Sequence, residues 1–363
     1  MRIVIDAREL RETSGRYVER LIHYLQKIDS ENKYFILIKP KDMDGWTPTN
    51  KNFQKVSCGV KEFTFAEQFK LKSQIRKLKP DLVHFAFAQQ PIWYRGKTIT
   101  TIHDLTTLRF YNPTKNPLVF KFKQKVYAYV INRSVHKASH IITPTQFVKD
   151  DVVEFSGIKS DKITVTYESA DSIKEKSEAI AKLRNEQFLM YVGRPTPHKN
   201  LEKLIDAFGS LKSKYPDLKL VLAGKKDLNY TRIEMSASKR GINQLFFTGF
   251  VSEGQLKWLY ENCKAYVFPS LSEGFGLPGL EAMLNKAPVV SSNATCLPEV
   301  YGDAAMYFDP LDTVSMADSI NKVLSDPTLS EQLVEKGLKK ANEYSWDRMA
   351  EQTLEIYNKV LSV

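Results

Sequence analysis

Two carboxylates, Glu273 and Glu281, bracket a glycine loop in the sixteen-residue stretch FPSLSEGFGLPGLEAM (268–283). Gly274 and Gly276 leave the backbone bare, so a ligand can approach the N–H groups of Gly274, Phe275, Gly276 and Leu277 closely. Tyr266, Val267 and Phe268 read as the end of a buried strand, which Pro269 and Ser270 stop. Pro278 suits the first turn of a helix, where its missing N–H is no loss, and Glu281 is expected in that first turn. Strand, glycine loop and helix N-terminus together bind phosphate, because N–H groups and helix dipole both point at the anion. Glu281 can accept hydrogen bonds from ribose hydroxyls, as the acidic ligand does in dinucleotide folds. Glu273, on the loop itself, reaches whatever lies beyond the phosphates. A turn with two solvated acids is the plainer reading of a glycine-rich segment; the whole pattern is far more specific than a lone GxGxxG.

Two further features carry chemistry. Arg194 and Lys199 lie on one Pro-containing turn, GRPTPHKN (193–200). Two cations there can grip a diphosphate, Arg through its planar fork and Lys as a mobile point charge; two incidental surface cations are the alternative. His103 closes a strand in TIHDL, at the carboxyl end where ligands sit in open α/β sheets. A lone His is more often a satisfied structural residue, and Asp104 beside it suits a turn cap. His198 is given no role.

The elements that must position these groups alternate along the chain. Strands are expected at 2–6, 34–39, 82–85, 98–105, 140–144 and 163–167, with an amphipathic helix at 16–27. A polar segment, 168–187, reads in its first part as a linker. Six more strands follow, at 188–194, 219–225, 245–250, 265–270, 288–292 and 305–310. Alternation of this kind implies parallel sheets wrapped by helices, hence an α/β fold. In TGFVSEGQL (248–256), Ser252 and Gln255 have the spacing of a capping box. Ser345 is a candidate cap for a last amphipathic helix.

The chain has 363 residues, enough for about two domains. Its three cysteines, Cys58, Cys263 and Cys296, are scattered and show no metal-ligand spacing, so a reducing cytoplasmic compartment is expected. No run reaches the roughly 18 apolar residues of a membrane span, and Ile3 to Ile5 is too short for a signal peptide. Residues 1–150 hold 27 Lys+Arg against 13 Asp+Glu, whereas residues 187–363 hold 20 against 21. A basic first half suggests an anionic partner there, whether membrane, nucleic acid or charged substrate. Residues 61–79 place Phe65, Phe69, Lys72 and Arg76 together on an expected helix. Residues 117–137 mix Phe120, Phe122, Tyr127 and Tyr129 with Lys121, Lys123 and Lys125. Aromatics interleaved with cations fit contact with an anionic membrane surface; a core-facing helix with a solvated basic face is the other reading.

The Glu-x7-Glu element in SEGFGLPGLEAM resembles the signature of retaining glycosyltransferases of the family 4 type. The resemblance spans nearly the whole chain and is strongest over 188–310. It implies the GT-B fold, two Rossmann-like domains with a cleft between them: an acceptor-side domain over 1–170, on which a last helix at 345–363 packs back, and a nucleotide-sugar domain over 171–344. In this family a matching Arg and Lys recur, as at Arg194 and Lys199. A His at the end of an N-domain strand contacts the donor sugar, which His103 matches, and Glu273 would join it in orienting sugar hydroxyls. Val251 or its neighbours would line the base pocket. The loop before the first helix usually carries two or three glycines and faces the donor diphosphate. Here only Gly15 remains, with Thr13 and Ser14 beside it, and a Ser/Thr helix cap explains those two as well. Glu299 would be a structural residue under the site, and the loop 106–116 would suit acceptor binding.

The segments TIHDLTTL and RPTPHKNLEKLIDAF look most like bacterial mannosyltransferases of polysaccharide assembly. The resemblance therefore implies GDP-mannose as first donor and a UDP-sugar as next, with a glycan or lipid-linked acceptor at the cytoplasmic face of the membrane. The GT-B resemblance implies no metal site of the DxD type, so neither a metal nor another cofactor is expected. Retention would follow from front-face attack, the leaving phosphate oxygen assisting deprotonation of the acceptor. Two rivals are a nucleotide-sugar 2-epimerase of the same architecture and a non-catalytic basic binding protein. Glu273 speaks against the second, and nucleic acid is not an expected partner.

Overall fold

Among the described residues, thirteen strands, all paired in parallel, fall into two sheets. The computed structural model describes residues 1–11, 15–111 and 116–362. The chain divides into two units: unit 1 is Met1–Leu108, Leu118–Glu168 and Ser345–Val363, and unit 2 is Arg109–Pro117 and Ser169–Tyr344. No helix among the described residues is long and apolar enough to cross a membrane.

In chain order the first elements are β1 (Arg2–Asp6), α1 (Arg16–Ile28), β2 (Lys33–Ile38), β3 (Phe53–Ser57), α2 (Lys72–Lys77), β4 (Leu82–Phe85), β5 (Thr98–Thr101), α3 (Thr106–Arg109), α4 (Pro117–Lys137), β6 (His140–Thr143), α5 (Gln146–Ser156) and β7 (Ile163–Val165). The sheet of unit 1 runs β3-β2-β1-β4-β5-β6-β7. Strands buried on both faces need continuous apolar runs, and IVI and FILI supply them. The strand β3 is an edge, FQKVS, with only Phe53 buried. Its polar composition hides it from a reading of apolar runs.

The helix expected over 61–79 is shorter, with helical residues 65–77, and its pitch changes within that run. Residues 62–63 form a turn, with Phe63 at φ 59°, and Glu67–Leu71 is a π-helical turn that leads into α2. Glu67 opens this turn, and its carboxylate is buried. Arg8 Nη2 lies 2.8 Å from Glu67 Oε1 and 2.7 Å from Asp6 Oδ2, and Gln89 Nε2 donates to Glu67 Oε2 at 2.5 Å. A polar network of this kind must be satisfied inside the unit. The helix α4 is present, but only Val130, Ile131, Ser134 and Val135 are buried. Leu118, Phe122 and Tyr129 are 79%, 69% and 57% exposed. The core-facing reading therefore covers only its last two turns.

Unit 2 continues with β8 (Phe188–Val192), α6 (Leu201–Ser210), β9 (Lys219–Ala223), α7 (Leu228–Lys239), β10 (Leu245–Gly249), α8 (Glu253–Asn262), β11 (Ala265–Phe268), α9 (Leu277–Leu284), β12 (Val289–Ser292), α10 (Leu297–Tyr301), β13 (Ala305–Phe308), α11 (Thr313–Ser325) and α12 (Pro327–Ala341). Its sheet runs β10-β9-β8-β11-β12-β13. Strand order reverses between β8 and β11, so the loops leaving these two neighbours diverge and open a crevice at their carboxyl ends. The capping box at α8 is formed, with Gln255 N–H donating to Ser252 Oγ at 3.1 Å.

The last helix, α13 (Trp346–Ser362), belongs to unit 1 and packs on α1. Its Tyr357 hydroxyl lies 2.6 Å from His84 Nδ1, and His84 Nε2 lies 2.8 Å from Thr101 Oγ1. Burial holds the His84 pKa down to about 3, so the ring is neutral.

Candidate functional site

The turn carrying Arg194 and Lys199 leaves β8, and the loop carrying Glu273 to Leu277 leaves β11, its neighbour in the sheet. Backbone and side chain then knit the two together. Leu271 N–H donates to His198 O at 2.7 Å. Asn200, at φ 59°, donates through Nδ2 to Pro269 O at 3.1 Å and to Pro310 O at 2.8 Å. Lys199 Nζ reaches Glu273 Oε1 at 2.5 Å and lies over the Phe268 ring. Glu273 N–H donates to Thr295 Oγ1 at 3.1 Å. Arg194 is exposed on the same turn.

Gly276 stands at the N-cap of α9 with φ 94°, a conformation that favours glycine. A Cβ there would come within 2.5 Å of the Tyr301 hydroxyl, which itself donates to Gly276 O at 2.5 Å. The loop is thus clamped from below by α10. Leu277 begins the helix and Pro278 follows in its first turn. The first turn leaves N–H groups without intrahelical partners and carries the positive end of the dipole. Phe275 is buried, edge-on to Tyr344 at 5.4 Å, so its side chain serves the core.

Glu281 departs from expectation. No acid lies in the first turn of α9, which begins at Leu277 and so places Glu281 in the second turn. The Tyr260 hydroxyl lies 3.4 Å from Glu281 Oε2. Val251 follows β10 and is half-buried before the cap of α8.

Gly15 and His103 lie in unit 1. The helix α1 has Gly15 at its N-cap position, with no side-chain cap bond from that residue. A Cβ at Gly15 would collide with the carbonyl oxygens of Glu9 and Leu10. Close chain packing therefore requires this glycine. Thr13 and Ser14 lie outside the described residues, as do residues 112–115 of the loop 106–116.

Both ring nitrogens of His103 face acceptors. Nδ1 lies 3.1 Å from Glu168 Oε1 and Nε2 lies 2.9 Å from Ala86 O. The protonated ring, with an N–H on each nitrogen, would satisfy both acceptors. Burial alone would lower the pKa, but the Glu168 carboxylate and Ala86 carbonyl outweigh it and raise the pKa. Tyr17 packs edge-on against the ring at 4.8 Å. Asp104 Oδ1 accepts from Thr106 N–H at 2.8 Å, the turn cap expected of it.

Sequence reasoning missed Asn200, Thr295, Tyr301 and Glu168. An Asn before a helix, where a left-handed residue is tolerated, is the one signal it could have used. The other three act across 22 or more positions and carry no local mark. Among the described residues no group of three or more His, Cys, Asp or Glu is placed to hold a metal.

Two family models match: Glycosyltransferase Family 4 over residues 15–172, and glycosyl transferases group 1 over residues 172–340. The O-antigen chain mannosyltransferase B of Escherichia coli is 31% identical over 72% of this chain and 70% of its own length. The chain belongs to the family 4 glycosyltransferases with the GT-B fold. Another relative of this glycosyltransferase, the O-antigen chain mannosyltransferase RfbU of Salmonella typhimurium, is 32% identical over 63% of this chain and 61% of its own length. Against the serotype-specific mannosyltransferase WbdA of Escherichia coli, at 31% identity, the match covers 73% of this chain but 34% of WbdA. In fold, the glycosyltransferase superposes on a sucrose-phosphate synthase from Thermosynechococcus elongatus with TM-score 0.79, covering 100% and 99% of the two chains at 18% identity. Anabaena HepE in complex with UDP and glucose gives TM-score 0.74 at 18% identity, covering 99% of this chain and 100% of that one.

Proposed function

We propose that this glycosyltransferase moves a hexose, mannose first, from a nucleotide-diphosphate sugar to a glycan or lipid-linked acceptor in cell-surface polysaccharide assembly, with retention at the anomeric carbon. The observation that carries the reading is the meeting of Lys199 with Glu273 at the β8/β11 reversal, beside the N-terminus of α9. Arg194, Lys199 and the 274–277 backbone hold the diphosphate and stabilise the charge that leaves with the nucleotide. These groups supply positive charge without a metal or other cofactor. Glu281 takes the ribose, Val251 and its neighbours the base, and Glu273 and His103 the sugar hydroxyls. Gly15 lets its loop approach the donor. The printed names of the O-antigen mannosyltransferase relatives support mannose, hence GDP-mannose before a UDP-sugar.

The acceptor side falls to unit 1 and the donor side to unit 2. A lipid-linked acceptor implies work at the cytoplasmic face of an anionic membrane. Phe65, Phe69 and Phe122, which are 87%, 56% and 69% exposed within 61–79 and 117–137, support such contact.

A thermal-shift screen against GDP, UDP, ADP and their sugars tests the donor. A ligand at a hundred times its dissociation constant adds roughly 2.7 kcal/mol of stability. Stabilisation by guanine nucleotides alone, followed by transfer of labelled mannose with the product's anomeric configuration read by NMR, is the expected result. Stabilisation by none of them removes the reading.

A further inference from the structure

A cleft of about 530 Å³ opens in unit 1 among Lys72 and Arg76 of α2, Arg95, and Arg133 and Lys137 of the last turns of α4. Its size is that of small-molecule sites, which run roughly 300–1,000 Å³. None of these five cations has a carboxylate within ion-pair distance among the described residues. Like charges gathered around one hollow repel one another until an anion enters. The strain registers at Lys137: burial, then Arg133, Lys72 and Arg95, bring its pKa down to about 8. Its ammonium is held in place all the same, donating to Ile92 O at 3.3 Å and lying 5.6 Å from the centre of the Tyr94 ring.

The cleft also has an apolar rim. Tyr94 is buried in its wall, and Trp93 is 49% exposed and packs on the exposed Phe69 at 5.4 Å. The lining segments are those that lead into strands: α2 into β4, residues 92–95 into β5, and the end of α4 into β6. They lie toward the amino ends of the strands, whereas His103 follows the carboxyl end of β5. Nothing assigned to the donor uses any of these residues.

We propose that this cleft is a binding site for a phosphate-bearing anion, a mono- or diphosphate group gripped by the Arg and Lys side chains, with its apolar body lying against Trp93 and Phe69. Arginine forks suit phosphate oxygens bidentately, and lysine adds point charge. A phosphorylated lipid headgroup and a free diphosphate share this chemistry. Binding needs neither nucleotide sugar nor transfer, so it stands apart from the donor assignment.

The test uses the whole chain and two variants, Arg133→Gln/Lys137→Gln in the cleft and, as control, Lys51→Gln/Lys159→Gln, two exposed lysines of unit 1 that line neither the cleft nor the segments proposed to meet a membrane. Both remove two charges, and circular dichroism checks that both fold. Flotation with phosphatidylcholine vesicles containing phosphatidic acid reads the lipid source. Calorimetric titration with inorganic pyrophosphate reads the free source, and the wild-type-minus-variant difference separates the cleft from the Arg194–Lys199 turn. At about 1 kcal/mol per cation near an anionic surface, the cleft variant should partition roughly thirty-fold more weakly. It should also lose one equivalent of bound pyrophosphate, while the control variant keeps it. Loss in the vesicle arm alone names the headgroup as ligand, and loss in the pyrophosphate arm alone names the free anion. Equal losses from both variants, or no loss from the cleft variant in either arm, overturn the proposal.

Discussion

Lys199 Nζ and Glu273 Oε1 lie 2.5 Å apart although 74 positions separate them in the chain. The side chains are only 18% and 13% exposed, so the pair is shielded from much of the screening that weakens surface ion pairs. The cation proposed for the diphosphate is therefore already partnered by the carboxylate proposed for the sugar. An arriving donor must share or displace that contact.

Exchanging partners makes the two single variants behave oppositely. Lys199→Ala removes a charged hydrogen bond worth roughly 1.5–3 kcal/mol, so nucleoside diphosphate affinity should fall about ten- to a hundred-fold. Glu273→Gln frees the lysine; affinity should hold or rise, by up to about five-fold if the pair is worth ~1 kcal/mol. Transfer should nonetheless drop by about 10²–10³, the scale of losing one transition-state contact. Calorimetry and initial rates separate the two effects. A parallel loss of affinity in both variants would contradict the exchange.

The Glu168 carboxylate should set the protonation of His103. Its folded pKa is raised, so the stability that this group adds is complete below its ordinary value and is lost as pH rises through the folded value. Glu168→Gln should lower the His103 pKa and shift the alkaline limb of kcat/KM to lower pH. Its NMR titration should move with it. A rate loss uniform in pH would mean that Glu168 is only structural.

The buried Arg8 joins Asp6 and Glu67 in one network. Arg8→Met leaves two carboxylates uncompensated and should destabilise unit 1 by about 3–5 kcal/mol. Glu67 already has its pKa raised by burial, with Arg8 pulling the other way. It should take up a proton in the variant, and Arg8→Met/Glu67→Met should recover part of the loss in urea unfolding.

His84 and His140 give a pH dependence of the opposite sign to that of His103. Burial lowers them to about 3 and about 4. Each adds stability above the ordinary histidine value and loses it as pH falls toward the folded value. Each should contribute a slope of up to about 1.4 kcal/mol per pH unit below pH ~6.5. His84→Gln should remove about one proton's worth of that slope, read from denaturant midpoints across the acid range.

The glycine loop, the Arg194/Lys199 turn and the parallel strands were legible because each depends on residues a few positions apart. Periodicity and turn chemistry act over that range. The π-helical turn at Glu67 was not legible, because nothing in 61–79 shows a change of pitch or that the Glu67 carboxylate points inward to a partner at position 8. The second-turn place of Glu281 follows from where α9 starts, and helix ends are set within a residue or two by local caps. His103 stood out by its place at a strand end, but its charge depends on Glu168, 65 positions away.

The closing of unit 1 by α13 has a consequence for synthesis. The ribosome releases β1 to β7 first, yet Tyr357, the partner of His84, and the face that covers α1 come only with the final helix. Until then the nascent unit 1 exposes apolar surface while all of unit 2 is being made. The half that begins first is completed last, and a stop codon just after Tyr344 would harm it more than the half that such a truncation leaves whole.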